Sequence, residues 1–144
     1  MTQHAALALL RQWCDAAARR DIEAALGLCD EELVVLAPFV PAPIPSRMVG
    51  RAAFAAPFGE VTALFAAFRW TALDLQAAAD PALAFGTASA AITLVDGRPY
   101  TQDFVFIVRE RAGRIISYTE YMDPIRARVA LAPFALNAPA EPVA

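Results

Sequence analysis

The sequence predicts an α+β fold, in which N-terminal helices pack on one face of a single curved antiparallel sheet. Apolar residues recur at helical spacing in the first half of the chain, and they alternate as in strands from Arg69 to Met122. Helices followed by a run of strands joined by tight turns are typical of this class. The 144 residues are predicted to form one domain, residues 1–132, followed by a proline-rich tail, residues 133–144.

The helical half is predicted to begin with a helix over residues 4–19, whose apolar stripe includes Leu7, Leu10 and Cys14. Asp21 is a suitable N-cap for a second helix over residues 22–29. A short buried strand follows over residues 33–37. Four prolines in eight residues then predict a loop over residues 38–50. A third helix is predicted from Arg51 to Phe68, kinked or split at Pro57.

Four strands are predicted in the second half, over residues 69–79, 83–95, 98–110 and 114–122. Turn signals separate them at Asp80-Pro81, Asp96-Gly97 and Ala112-Gly113. Asp123 is then expected to cap a short helix that has Pro124 at its first position.

A two-residue loop at Ala112-Gly113 would place Asp103 opposite Met122 and Val105 opposite Glu120. On this register one face of the sheet carries two acids among apolar and small residues: Ala88, Ala90, Asp103, Val105, Tyr118, Glu120 and Met122. Its alanines leave room for a cavity under the helices. The other face would carry Phe104, Phe106 and Tyr121, which we expect to form a homodimer interface.

Glu120 and Asp103 are the candidate catalytic residues. Apolar surroundings raise the pKa of a carboxyl group, and a second acid nearby acts in the same direction. Such a group suits general acid or base catalysis near neutral pH, and the Tyr118 hydroxyl could orient Glu120. The alternative is that both acids are solvated or are paired with arginines such as Arg47 or Arg69.

Composition excludes several other classes of function. The net charge is −3 without a basic cluster, so we expect no nucleic-acid partner. The chain has no lysine for a Schiff base, and His4 is its single histidine, so neither a catalytic triad nor a multi-histidine metal site is expected. Cys14 and Cys29 are predicted to be buried free thiols. We expect no metal, no cofactor and no membrane span, and a cytoplasmic location.

Three stretches carry a family resemblance: RDIEAALGLCDEELVVLAPF at 20–39, GRAAFAAPF at 50–58 and DGRPYTQDFVFIVRERAGRIISYTEYMDP at 96–124. In their order and spacing the chain resembles the nuclear transport factor 2-like superfamily over residues 5–128, within it the SnoaL-like polyketide cyclase and ketosteroid isomerase group. The resemblance implies a cone-shaped α+β fold with an internal pocket, and a homodimer formed through the sheet.

The sequence departs from the ketosteroid isomerases at their three functional positions. The resemblance implies a base aspartate at the position of Ala37 and a tyrosine donor at the position of Trp13. It implies a second acid at the position of Val105. Standard steroid isomerisation is therefore not expected. The segment EYMDP at 120–124 looks most like the phenazine biosynthesis A/B proteins, which implies a general-acid role for Glu120, although that family's companion histidine is missing.

The sequence therefore predicts a small-molecule isomerase, cyclase or dehydratase that acts on an apolar substrate without a cofactor. The alternatives are a noncatalytic module that binds an apolar ligand in the same pocket, and a dimeric interaction protein whose cavity its own aromatic residues fill. The predicted pocket wall comprises Trp13, Ala37, Phe39, Phe54, Phe58, Ala88, Ala90, Val105 and Met122.

Overall fold

The structure, a computed structural model, describes residues 4–134 and residue 136. Within this part of the chain the elements follow in the order α1 (Ala5–Ala18), α2 (Ile22–Gly27), β1 (Cys29–Leu36), β2 (Arg47–Val49), α3 (Arg51–Thr62), β3 (Phe65–Ala77), β4 (Leu83–Leu94), β5 (Pro99–Arg111), β6 (Arg114–Met122) and α4 (Pro124–Leu131). Most of the predicted tail, residue 135 and residues 137–144, lies outside the described residues.

The six strands form one curved, unclosed sheet in the order β2-β1-β6-β5-β4-β3. All neighbouring strands are antiparallel except β1 and β6, which are parallel. The predicted α+β class, with helices packed on one face of a mostly antiparallel curved sheet, is confirmed. Two predicted caps are also present, since the Asp21 carboxylate accepts from the Ala24 N–H and the Asp123 carboxylate accepts from the Ile125 N–H.

Helix α1 supplies the largest part of the helical layer of the core. Leu10, Trp13 and Cys14 are each at most 3% exposed, because α1 packs them against the inner face of the sheet. Burying a side chain the size of leucine contributes about 1.5–3 kcal/mol. The indole N–H of Trp70 on β3 donates to the Cys14 carbonyl at 2.9 Å, which ties the far edge of the sheet to this helix.

Two predicted elements differ from the structure. The third helix was expected to reach Phe68, but α3 ends at Thr62, remains continuous through Pro57, and is followed by β3 from Phe65. From Phe65 onward this segment forms backbone hydrogen bonds with β4. The spacing of apolar residues does not predict such long-range pairing, so the helix was predicted to be too long. Strand β2, which pairs with β1, forms at the end of the segment predicted to be a loop.

The predicted sheet register is wrong by one residue in each hairpin. Arg111 does lie opposite Arg114, but the register shifts between Arg109 and Glu110, so Phe106 lies opposite Glu120. The β4–β5 loop is also longer than predicted, since Leu94 rather than Val95 pairs with Arg98 through its backbone. A shift of one residue moves each side chain to the other face of the sheet.

This shift exchanges the two faces of β5. Phe104 and Phe106 lie on the inner face, and Phe106 is 1% exposed, whereas Val105 on the outer face is 40% exposed. The face of β4 relative to β6 depends on both hairpins, and two shifts of one residue restore the predicted face. Ala88 and Ala90 therefore do share the inner face with Glu120. The dimer interface predicted from Phe104 and Phe106 is therefore wrong in those two residues, while association itself stays a prediction.

None of the helices in the described part of the chain is long and apolar enough to cross a membrane.

Candidate active site

A cavity of about 150 Å³ lies between the inner face of the sheet, α1, α3 and the proline-rich loop. A cavity of this volume holds a benzene-sized molecule. Apolar and aromatic side chains form nearly all of its wall, as is usual for small-molecule sites. Its lining includes Trp13, Ala37, Val40, Pro41, Ile44, Met48, Phe54, Phe58, Phe65, Phe68, Trp70, Ile92, Tyr100, Phe104, Phe106, Tyr118, Glu120, Met122 and Leu131.

Glu120 provides the carboxyl group in this wall. It lies on β6, two residues after Tyr118, so alternation along the strand places both side chains on the inner face. The Tyr118 hydroxyl donates to Glu120 Oε1 at 2.6 Å. Tyr118 thereby fixes the orientation of the carboxyl group through Oε1, and Oε2 takes no part in this hydrogen bond.

The surroundings of Glu120 change its acidity. Burial raises the pKa of the Glu120 carboxyl to about 7, although the Tyr118 hydrogen bond acts in the opposite direction by stabilising the charged form. Burial, and next the Glu120 charge, raise the pKa of Tyr118 well above its ordinary value, so its hydroxyl keeps its proton. Both protonation states of Glu120 are consequently populated near neutral pH.

Stacked and tilted rings hold this pair in place. The Trp13 ring lies 4.8 Å from the Tyr118 ring and stacks on Phe58 at 5.3 Å between centroids. Phe54 stacks in turn on Phe58 at 4.8 Å. Because these rings come from α1, α3 and β6, the helices and the sheet together fix the position of Tyr118.

Asp103, the second predicted acid, lies on the outer face of the sheet, where its side chain is 60% exposed. Its carboxylate accepts a hydrogen bond from the Ser89 hydroxyl at 2.7 Å and is paired with Arg126. These two contacts, the Ser89 bond first, lower the pKa of Asp103. The two-acid arrangement predicted from the sequence is therefore not formed, because the register shift turns Asp103 away from Glu120.

The remaining predicted pocket residues divide into two groups. Trp13, Ala37, Phe54, Phe58 and Met122 line the cavity. The others do not: Phe39 is 48% exposed and packs on Tyr121, Val105 faces outward, and Ala88 and Ala90 are buried in the inner face beside the cavity.

Sequence reasoning missed Tyr100, Phe104 and Phe106 as cavity residues. The signal for the two phenylalanines was their size, since a pair of large apolar side chains on one face favours the buried side of a sheet. Tyr100 follows from the same alternation once Phe104 faces inward. Within the described residues, no group of three or more His, Cys, Asp or Glu side chains is placed to hold a metal ion.

The sheet, the helices on its inner face and the cavity between them define a pocket-bearing α+β protein of the nuclear transport factor 2-like fold. The model of the SnoaL-like domain matches residues 10–118, and the chain belongs to that family. A search of curated protein sequences finds no match. These comparisons do not confirm the finer resemblance to the phenazine biosynthesis A/B proteins.

Solved structures of the same fold include proteins with different proposed activities. A proposed isomerase from Bacillus subtilis is 24% identical, with a TM-score of 0.81, over 95% of this chain and 100% of its own. A proposed polyketide cyclase from Xanthomonas campestris pv. campestris is 18% identical, with a TM-score of 0.73, over 85% and 93%. A protein of unknown function from Burkholderia pseudomallei K96243 is 20% identical, with a TM-score of 0.74, over 90% and 97%.

Proposed function

We propose that this protein is an isomerase, cyclase or dehydratase of a small apolar molecule, and that Glu120 transfers the proton without a cofactor. The observation that carries the proposal is the environment of Glu120, a carboxyl group in an aromatic cavity, held by Tyr118 at 2.6 Å, with a pKa of about 7. A general acid or base is most effective when its pKa lies near the working pH.

The proposed mechanism uses the two states of Glu120. In its ionised form, Oε2 accepts a proton from a carbon or hydroxyl group of the substrate. In its protonated form, the same oxygen returns a proton at another position of the substrate, which completes an isomerisation, or protonates a leaving hydroxyl group, which completes a dehydration. Tyr118 holds Oε1 throughout and so limits the motion of the carboxyl group.

A noncatalytic binding module is the second candidate. The position of Asp103 favours it, because the acid predicted to assist Glu120 is paired with Arg126 on the other face of the sheet. In this case Glu120 would serve as the polar contact that orients an apolar ligand in the cavity.

Hydrogen–deuterium exchange distinguishes the two candidates. We would incubate a panel of benzene-sized ketones, acetophenone among them, with the protein in heavy water and measure α-carbon exchange by mass spectrometry. General base catalysis by Glu120 predicts exchange above the buffer rate and a loss of about 100-fold or more in Glu120→Gln. Asp103→Asn is the control. Ketones that bind without exchanging would support the binding module instead.

We also propose that the protein forms a homodimer through the outer face of the sheet. Phe85 and Val105, which are 44% and 40% exposed, lie there together with Ile107 and Tyr121. Exposed apolar side chains gathered on one face are typical of a subunit interface. Sedimentation of wild type and Val105→Asp tests this, with a dimer expected for wild type and a monomer for the variant; a monomeric wild type would refute it.

A further inference from the structure

Tyr100 is a buried polar residue of the cavity wall that the proposed proton transfer does not use. It lies on β5, is 7% exposed, and lines the same cavity as Glu120. Its hydroxyl oxygen accepts a hydrogen bond from Gln102 Nε2 at 2.8 Å. The direction of this bond determines where the Tyr100 proton can go.

Gln102 fixes that direction because its amide group is held on both sides. Its Oε1 accepts from the backbone N–H groups of Asp103 and Asp123, both at 2.9 Å. A backbone N–H can only donate, so the amide oxygen must face these two groups and Nε2 must face Tyr100. Nε2 also donates to the Asp123 carbonyl at 3.0 Å. Gln102 is fully buried, so water does not compete for these bonds.

The Tyr100 hydroxyl therefore has to donate its proton elsewhere. A phenol oxygen that accepts from Gln102 keeps its own O–H as a donor. Within the described residues, the Tyr100 O–H donates to no protein group, and the Tyr100 ring forms part of the cavity wall. Burial raises the pKa of Tyr100 to about 12 and outweighs the hydrogen bond from Gln102, which lowers it, so the hydroxyl stays protonated at neutral pH.

We propose that the Tyr100 hydroxyl donates a hydrogen bond to an oxygen of the ligand, and that the ligand is a benzene-sized molecule with a carbonyl group. This inference rests on the proposal that the cavity binds a small molecule, and it specifies the class of that molecule. A ketone is a suitable ligand for this group, because its carbonyl oxygen can accept the Tyr100 proton and has no proton of its own to donate. A hydrogen bond to that oxygen also stabilises the negative charge that develops when a base removes the adjacent proton.

Acetophenone and ethylbenzene provide a matched pair of probes that differ mainly in the carbonyl oxygen. Dissociation constants would be measured from chemical-shift titrations of the labelled protein, in which the indole signals of Trp13 and Trp70 report on the cavity. Tyr100→Phe should weaken acetophenone binding by about three- to tenfold, the contribution of one neutral hydrogen bond. The same substitution should change ethylbenzene binding less than about twofold.

Tyr121→Phe is the control, since Tyr121 lies on the outer face of the sheet.

Three outcomes would overturn the inference: unchanged acetophenone affinity in folded Tyr100→Phe, equal losses for both probes, or no saturable binding of acetophenone to wild type. The Glu120→Gln exchange experiment tests a later step: acetophenone that binds through Tyr100 without exchanging would refute the proton transfer and leave this inference intact.

Discussion

Replacing Glu120 by glutamine should make the stability of this protein depend differently on pH. In the unfolded chain the carboxyl group has its ordinary pKa of 4.5, whereas in the folded protein burial raises that pKa to about 7. A carboxyl whose pKa is raised on folding binds its proton more tightly in the folded state. The wild type should therefore lose stability as the pH rises from about 4.5 to about 7.

The magnitude follows from the size of the rise in pKa. Each pKa unit corresponds to about 1.4 kcal/mol, so the ionised carboxylate costs the folded protein about 3 kcal/mol above pH 7. Below pH 4.5 the carboxyl group is neutral in both states and this cost disappears. Glutamine is neutral at every pH, and its amide oxygen can still accept from Tyr118. Relative to wild type, Glu120→Gln should gain about 3 kcal/mol between pH 4.5 and pH 8.

Urea unfolding of both proteins at several pH values between 4.5 and 8 measures this gain. The difference between the two free energies of unfolding cancels the other titrating groups, which the proteins share. Asp103→Asn is the matched control, because the pKa of Asp103 is lowered and its titration lies below this range. A difference between Glu120→Gln and wild type that stays constant across the range would refute the raised pKa.

Three further predictions address the neighbours of this site and the sheet. Tyr118→Phe removes the hydrogen bond that lowers the pKa of Glu120. In a protein that carries Tyr118→Phe, the stability gained from Glu120→Gln should therefore appear at a higher pH than in a protein that keeps Tyr118. An unchanged pH midpoint would contradict the contact. Asp103→Asn should leave ketone exchange within about twofold, and a loss above about tenfold would restore Asp103 to the mechanism. Gly86→Ala would place a Cβ 2.5 Å from Leu75 Cδ2 and 2.6 Å from the Asp74 carbonyl, so urea unfolding should show a loss of about 1–3 kcal/mol, unlike Gly59→Ala, whose Cβ meets nothing within 4 Å.

The helix caps and the position of the candidate acid could be predicted from local sequence. Asp21 and Asp123 cap their helices because a carboxylate can reach backbone N–H groups two or three residues ahead. Glu120 and Tyr118 share a face because they lie two residues apart on one strand, and no long-range contact changes that relation. Local sequence therefore determined the two helix caps and the placement of Tyr118 and Glu120 on one face of β6.

Only the tertiary structure decided which residues of the neighbouring strand join that pair. One shift of register at Arg109 and Glu110 places Phe104 and Phe106 in the core and Asp103 outside. Burying two phenylalanines contributes about 1.5–3 kcal/mol each, which outweighs one ladder hydrogen bond of about 1 kcal/mol lost at a bulge. The turn residues of a hairpin do not predict which of these two free energies is larger, because the burial depends on which face of the sheet the helices cover. For the same reason the donor role proposed for the Tyr100 hydroxyl depends on the tertiary contact between Gln102 and the Asp123 backbone.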